Sequence, residues 1–377
     1  MYPLVNFTIK EILQQPRVWN ETFDLLRRLR QELRRWLDRV GFDKDAELVF
    51  TGAGSSEFCA DVAAAIYLKA GYSRARSIPT TDMLSTPEYC LGARKKLVVT
   101  FARSGDSPES EGAYKTVRKY CPGSSHLVIT CNKEGALAKV ASAPEDYVLA
   151  LPPDTNDRSL AMTSSFTTML IASILVKDLD RLDEASEELA ATCTLANCIL
   201  GDQVRATIEK ISVMPIINRA VFLGSGAMKG IAKECHLKLQ ELTDGGLMCA
   251  YDTFMGLRHG HKAIIHEDTL IVYLLSDNPR TREYEYDLIR QIGVEHNPAA
   301  QILVSANVAD INGDFDLRVD GGGMSFGEDN EYVYAAFTLV GQLLGWHFSR
   351  SYGLEPDSPS VSGTISRVVS GVKIHMI

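Results

Sequence analysis

Glu234, Lys238 and Glu241 stand at i, i+4 and i+7, so a helix would carry all three on one face. Such a face can be a solvated charge stripe. Here Ile231, Cys235, Leu237, Leu239 and Leu242 surround it, which leaves little of the circumference for water. A carboxylate partly buried in that way is pushed up toward the range useful for proton transfer. Further on, Arg258-His259-Gly260-His261-Lys262 sets two imidazoles about a glycine in a basic loop. That pattern suits acid/base work or metal ligation.

A second group of residues suits an anion. Gly54-Ser55-Ser56-Glu57, Ala102-Arg103-Ser104-Gly105-Asp106-Ser107 and Thr130-Cys131-Asn132 follow successive apolar runs, and Thr163-Ser164-Ser165 forms a fourth cluster. Oriented hydroxyls with the N–H groups of a helix start favour a phosphate monoester. Any one of these turns is explained by helix capping alone. The set together predicts a phosphate pocket.

The elements that must position these groups come in two copies. Val49-Phe50-Thr51-Gly52-Ala53-Gly54-Ser55 is answered by Val221-Phe222-Leu223-Gly224-Ser225-Gly226-Ala227. Each is a short apolar run, then G-x-G, then a helical pattern. The later runs keep step: Leu97–Phe101 with Leu270–Leu274, Leu127–Thr130 with Ile302–Ser305, and Asp146–Leu149 with Phe315–Val319. The runs are short, rich in Val, Ile and Leu, and do not alternate, as in strands buried on both faces of a parallel sheet. Helical patterns between them predict right-handed βαβ units. The fold class is therefore α/β, with two doubly wound, mainly parallel sheets flanked by helices. Ligands are expected beyond the carboxyl ends of the strands. A dinucleotide is disfavoured, because Glu57 stands where the third glycine of the fingerprint would be and would face the pyrophosphate.

The expected division is an N-terminal helical extension over 1–45, a first domain over 46–200, a second over 201–347 and a tail over 348–377. Within the extension, Thr8–Ile12 opens a short helix interrupted by Pro16, and Asn20–Val40 reads as one long amphipathic helix. That helix either packs on the first domain or serves as a dimer arm. Leu182–Leu200 reads as a helix linking the halves.

Composition narrows the function. The 377 residues are 45% hydrophobic and 23% charged, with a net charge of −9 and no lysine-rich tract. A nucleic-acid partner needs a basic surface and is disfavoured. The most apolar window, Leu160–Val176, is rich in hydroxyls and too short to span a bilayer, so no membrane role is expected. The first ten residues lack the pattern of a secretory signal. The eight cysteines are scattered without C-x-x-C, as in reduced thiols of a cytoplasmic protein.

The duplicated G-x-G halves, the Ala102–Ser107 turn, Leu160-Ala161-Met162-Thr163-Ser164-Ser165-Phe166-Thr167-Thr168, Glu234-x-x-x-Lys238-x-x-Glu241 and His259-Gly260 resemble the tandem sugar isomerase (SIS) domain proteins. The resemblance covers nearly the whole chain. The extended N-terminal helix, the Arg258–Lys262 loop and the tail Ser366-Arg367-Val368-Val369 are more similar to the AgaS branch, the galactosamine-6-phosphate deaminase/isomerases formerly called tagatose-6-phosphate ketose/aldose isomerases. The resemblance implies that Ser55, Ser56, Arg103, Ser104 and Ser107 hold a sugar phosphate with Thr163 in support. It implies that Glu241 moves a proton between C1 and C2, with Glu234 and Lys238 lining the same site. His259 would open the sugar ring from a neighbouring subunit, so a homodimer, alone or paired into a tetramer, is expected. No metal or organic cofactor is called for.

Two departures qualify the resemblance. Where the synthase of this family places a Schiff-base lysine near its C-terminus, the best match is Arg367, which stays protonated and cannot form one. Arg367 could instead contact substrate oxygens. Ala102 stands where the synthase has a serine, so one phosphate hydroxyl is missing. The expected reaction is galactosamine 6-phosphate to tagatose 6-phosphate and ammonia. A ketose/aldose isomerase without ammonia release, a glucosamine-6-phosphate deaminase and a non-catalytic sugar-phosphate sensor remain as alternatives.

Overall fold

The computed structural model of the chain describes residues 6–321, 326–327, 330–369 and 371–375. Residues 1–5 of the expected extension, 322–325 and 328–329 of the second domain, and 370 and 376–377 of the tail lie outside the described residues.

Two five-stranded sheets carry the fold. The first contains β1 (Leu48–Thr51), β2 (Arg76–Ser77), β3 (Leu97–Ala102), β4 (Ser125–Thr130) and β5 (Tyr147–Ala150). The second contains β6 (Arg219–Gly224), β7 (Met248–Asp252), β8 (Thr269–Leu274), β9 (Ala300–Val304) and β10 (Leu317–Val319). Their orders are β2-β1-β3-β4-β5 and β10-β9-β8-β6-β7. With β6 matched to β1 these are the same order, and every pairing is parallel. The duplicated, doubly wound architecture expected from the repeat is present.

Each apolar run named in the sequence became a strand. The two strands not foreseen are β2 and β7, at corresponding edges of the two sheets. β2 has only two residues, neither of them buried. β7 is buried only at Asp252. An edge strand wetted in this way offers no continuous apolar run to read.

The strand order reverses between β1 and β3, and again between β6 and β8, which is where doubly wound sheets open a crevice. A glycine turn follows the first strand of each pair. A Cβ at Gly52 would lie 2.4 Å from the Ser56 backbone, and one at Gly224 would lie 2.5 Å from the Met228 carbonyl oxygen. The second glycine of each turn has positive φ, +57° at Gly54 and +59° at Gly226. Each turn thus needs one glycine for close approach and one for its backbone angle. The helices Ser55–Lys69 and Met228–Leu242 start there.

The long N-terminal helix runs Gln15–Val40, and Pro16 sits in its first turn rather than breaking it. A proline costs nothing there, since that N–H has no partner within the helix. Its apolar face buries Trp19, Leu26, Leu33, Trp36 and Leu37. Trp19 Nε1 donates to Thr167 Oγ1 at 3.0 Å, and the Trp36 ring lies 5.5 Å from that of Tyr147. The expected buried helix is Ser164–Lys177, covered from Ser164 through Val176. Among the described residues no helix is long and apolar enough to cross a membrane.

The chain forms two compact units that are not contiguous in sequence. The first-sheet unit holds Arg17–Asp157, Met162–Ala185 and the described residues from Ile365 on. The second-sheet unit holds Ser186–Thr364, Arg158–Ala161 and the described residues up to Pro16. The boundary at Ala185 falls inside the helix Leu182–Ile199. Specific anchors explain the interleaving. The Phe7 and Thr8 amides donate to Asp357 at 2.9 and 2.7 Å, which ties the short helix Phe7–Leu13 to the second-sheet unit. Arg367 ties the end of the chain to the first-sheet unit, as described next.

Candidate active site

In the first-sheet unit, the switch point gathers the residues expected to hold an anion. Ser55 and Ser56, both buried, open the helix after β1. Arg103, Ser104 and Ser107 follow β3, which pairs directly with β1. The loop after β4 fixes them, because Asn132 Nδ2 donates to the Ser104 carbonyl at 3.0 Å. Ser104 Oγ accepts the Asp106 amide at 3.2 Å, and Ser107 Oγ accepts the Ser110 amide at 3.3 Å as a helix cap. Ser107 Oγ also lies 2.8 Å from Ser110 Oγ, whereas Ser104 Oγ acts as an acceptor in its contact within the chain and can donate its proton to an anion.

Thr163 is placed differently. Its hydroxyl donates to Asp157 Oδ1 at 3.1 Å, and its amide to Asp157 Oδ2 at 2.8 Å. The Ser164 and Ser165 amides and the Ser165 hydroxyl also donate to this fully buried carboxylate. Thr163 therefore serves by holding the Asp157 cap at the start of the helix Ser164–Lys177. Arg367 clasps the same turn. Its Nε donates to the Asp157 carbonyl at 2.8 Å and its Nη2 to Asn156 Oδ1 at 2.8 Å. Arg103 in turn donates to the Arg367 carbonyl. The sequence reading missed Asp157, since a lone aspartate before a serine-threonine run carries no distinguishing spacing.

In the second-sheet unit, Glu234, Lys238 and Glu241 lie on one face of the helix Met228–Leu242. The face is not a solvated stripe. Glu234 and Lys238 side chains have no exposure, and Glu241 keeps 15%. The helix Val333–Ser351 packs closely enough that a Cβ at Gly341 would lie 2.5 Å from Cys235, and one at Gly345 2.8 Å from the Lys238 carbonyl oxygen. Lys238 Nζ lies 3.2 Å from Glu234 Oε1 and donates to Glu241 Oε1. Burial pulls the Lys238 pKa down, but the Glu234 and Glu241 carboxylates outweigh it and hold the ammonium above its ordinary value. One outward carboxylate is thus oriented by a fixed buried cation, an arrangement fitted to moving a proton.

His259 is exposed, and its ring makes no hydrogen bond to a described residue. His261, two residues on, has its Nδ1 paired with Asp252. Among the described residues no group of three or more His, Cys, Asp and Glu side chains is placed to hold a metal.

The second switch point is built unlike the first. Arg282 pairs with Asp277 at 2.8 Å and donates to Ser305 Oγ at 2.9 Å, so the guanidinium there already has an internal carboxylate. Glu285 accepts the Ser276 amide at 2.9 Å. Burial pushes its pKa up to about 7, tempered by the Ser225 hydroxyl and the Ser276 amide. A carboxyl raised in the folded state stabilises fully below its unfolded pKa and loses that contribution as pH rises through the folded value. Glu285→Gln is therefore expected to stabilise the protein by about 2–3 kcal/mol at pH 8 and to have little effect near pH 4.5. Urea unfolding at the two pH values measures this.

No family model matches the chain. Individual proteins do. The D-galactosamine-6-phosphate deaminase AgaS of Escherichia coli is 34% identical over 372 residues, covering 98% of this chain and 95% of that one. A Streptomyces coelicolor protein bearing the AgaS name is 36% identical over 374 residues, with the same coverage. The chain belongs to the tandem SIS family, in its AgaS branch. Among solved structures, the tagatose-6-phosphate ketose/aldose isomerase from Escherichia coli superposes with a TM-score of 0.88 at 30% identity, covering 98% of this chain and 96% of that one. The duplicated sheets described above are therefore SIS domains of the AgaS type.

Proposed function

We propose that this chain converts a 2-amino-hexose 6-phosphate, galactosamine 6-phosphate, to tagatose 6-phosphate and ammonia. The observation that carries the reading is the Glu234–Lys238–Glu241 constellation: a partly exposed carboxylate oriented by a buried ammonium, on a chain whose relatives are named for amino-sugar phosphate chemistry. In this reading Ser55, Ser56, Ser104 and Ser107 donate to the phosphate, with the Arg103 loop behind them. Thr163 and Arg367 hold the loop 156–157 in place. His259 assists ring opening from a second copy of the chain in a homodimer. In the open-chain sugar Glu241 takes the C2 proton. The resulting enolamine is reprotonated at C1, and the product carries an imine at C2. Water replaces the imine nitrogen, which leaves as ammonia.

A second reading is ketose/aldose isomerisation without loss of nitrogen, favoured by the activity in the name of the solved Escherichia coli relative. A coupled ammonia assay over a panel of amino-sugar 6-phosphates separates the two. Release with galactosamine 6-phosphate is expected. Interconversion of tagatose 6-phosphate with its aldose, and no ammonia from any amino sugar, would establish the second reading instead.

A further inference from the structure

β7 delivers Asp252 to the carboxyl edge of the second sheet. Its last register pair is Asp252 with Leu223, which places it beside the Gly224–Gly226 turn. The carboxylate is nearly covered, with 12% of the side chain exposed. Its Oδ1 accepts the Thr253 amide at 2.7 Å, and its Oδ2 pairs with His261 Nδ1. The cover is a short helix, Phe254–Leu257, capped by Thr253, whose Oγ1 accepts the Gly256 amide at 2.9 Å. A Cβ at position 256 would lie 2.4 Å from Asp252 Oδ1. The helix can therefore close over the carboxylate only with glycine there. Gly260, at φ +92°, then turns the chain just before His261.

The result is an imidazole with one nitrogen fixed and the other free. The His261 side chain is 73% exposed, and its Nε2 makes no hydrogen bond to a described residue. In the neutral ring, Nδ1–H donating to the carboxylate leaves the lone pair on Nε2. Asp252 behind it fixes the tautomer and orientation of the ring, which is how a carboxylate positions a histidine base. His259 has no such partner.

We propose that His261 activates the water that hydrolyses the ketose imine, with Asp252 as its positioning residue. This rests on the deaminase reading above, which leaves that step without a base: Glu241 moves the carbon-bound proton and His259 serves the ring. A hydrolytic base must also meet water, as His261 does. As the water oxygen bonds to C2 of the protonated imine, one water proton passes to Nε2 and the C=N pair collapses onto nitrogen. The imidazolium returns that proton to nitrogen. The C2–N bond then breaks with its electrons on the departing ammonia, and the remaining hydroxyl proton is released as C2=O forms.

The step takes place in trans. Glu241 lies in the last turn of the helix that runs back from the carboxyl edge, so it sits toward the amino end of β7 while Asp252 ends that strand. One strand length, roughly 15 Å, separates them within a chain. A substrate served by both draws Glu241 from one copy and His261 from another.

Two readouts in D₂O test the proposal: ammonia release, and deuterium entering the carbon skeleton of recovered sugar phosphate. His261→Asn is expected to lower ammonia release by about 10²-fold or more while leaving deuterium entry near the wild-type rate. Asp252→Asn should fall in the same direction, with KM for the sugar phosphate unchanged. Mixing the separately purified His261→Asn and Glu241→Gln proteins under subunit exchange should restore part of the ammonia release. Wild-type ammonia release by His261→Asn, or an equal loss of both readouts, would overturn the assignment. Deuterium entry with no ammonia from the wild-type protein itself would instead overturn the deaminase reading beneath it.

Discussion

Glu241→Gln is expected to lower turnover of the amino-sugar phosphate by roughly 10²- to 10⁴-fold and to leave its binding almost unchanged. The substitution keeps the size and the hydrogen-bonding oxygen of the side chain but removes its ability to take a proton. Its surroundings can absorb the change, because Glu241 retains 15% exposure and the amide oxygen can still accept from Lys238. The hydroxyls proposed to hold the phosphate follow β1 and β3 and are unchanged by the substitution. The expected pattern is thus a collapse of kcat with Kd for a sugar phosphate held within a few-fold, read by steady-state kinetics and by calorimetry. A non-catalytic sensor would keep both its ligand response and its affinity. Comparable losses in kcat and in affinity would mean that Glu241 holds the sugar rather than moving its proton.

The sequence disclosed most of the scaffold for a physical reason. Strands buried on both faces must be apolar along their whole length, so β1, β3, β4, β6, β8 and β9 announce themselves. The G-x-G turns were equally legible, since a missing Cβ at Gly52 and a positive φ at Gly54 leave few other residues possible. β2 and β7 were invisible because they are wet edges. The charged face of the helix Met228–Leu242 was half legible. Its spacing named Glu234, Lys238 and Glu241, but only the close approach of the helix Val333–Ser351, through Gly341 and Gly345, removes water from it. Lone carboxylate partners could not be read at all. Asp157 beneath Thr163–Ser165 and Asp252 behind His261 are single carboxylates with no periodic signature. Their meaning comes from the turns that fold over them.

The burial of that charged face predicts the second large effect. Lys238→Met is expected to destabilise the protein by about 3–5 kcal/mol, because it leaves a fully buried Glu234 carboxylate without its ammonium. Methionine fills nearly the same space, so the loss is electrostatic rather than a cavity. With the cation gone, desolvation drives Glu234 toward its protonated form. Its folded pKa then rises above the unfolded value, and by linkage the remaining stability is lost as pH climbs through that raised pKa. The deficit should therefore be smaller at pH 5 than at pH 8. Removing the charge as well tests the cause. In the double variant Glu234→Gln/Lys238→Met the buried anion is gone, and most of the lost stability should return, since an apolar or neutral substitute for a buried pair is often nearly neutral. Chemical denaturation of the three proteins at both pH values reads the outcome. A double variant as unstable as Lys238→Met alone would show that Lys238 stabilises the fold through its aliphatic packing beneath the helix Val333–Ser351. Activity would remain lost in the double variant in either case, because the ammonium that orients Glu241 is absent. On this reading stability and the proposed proton transfer depend on the same buried lysine for different reasons, and the pair of substitutions separates them.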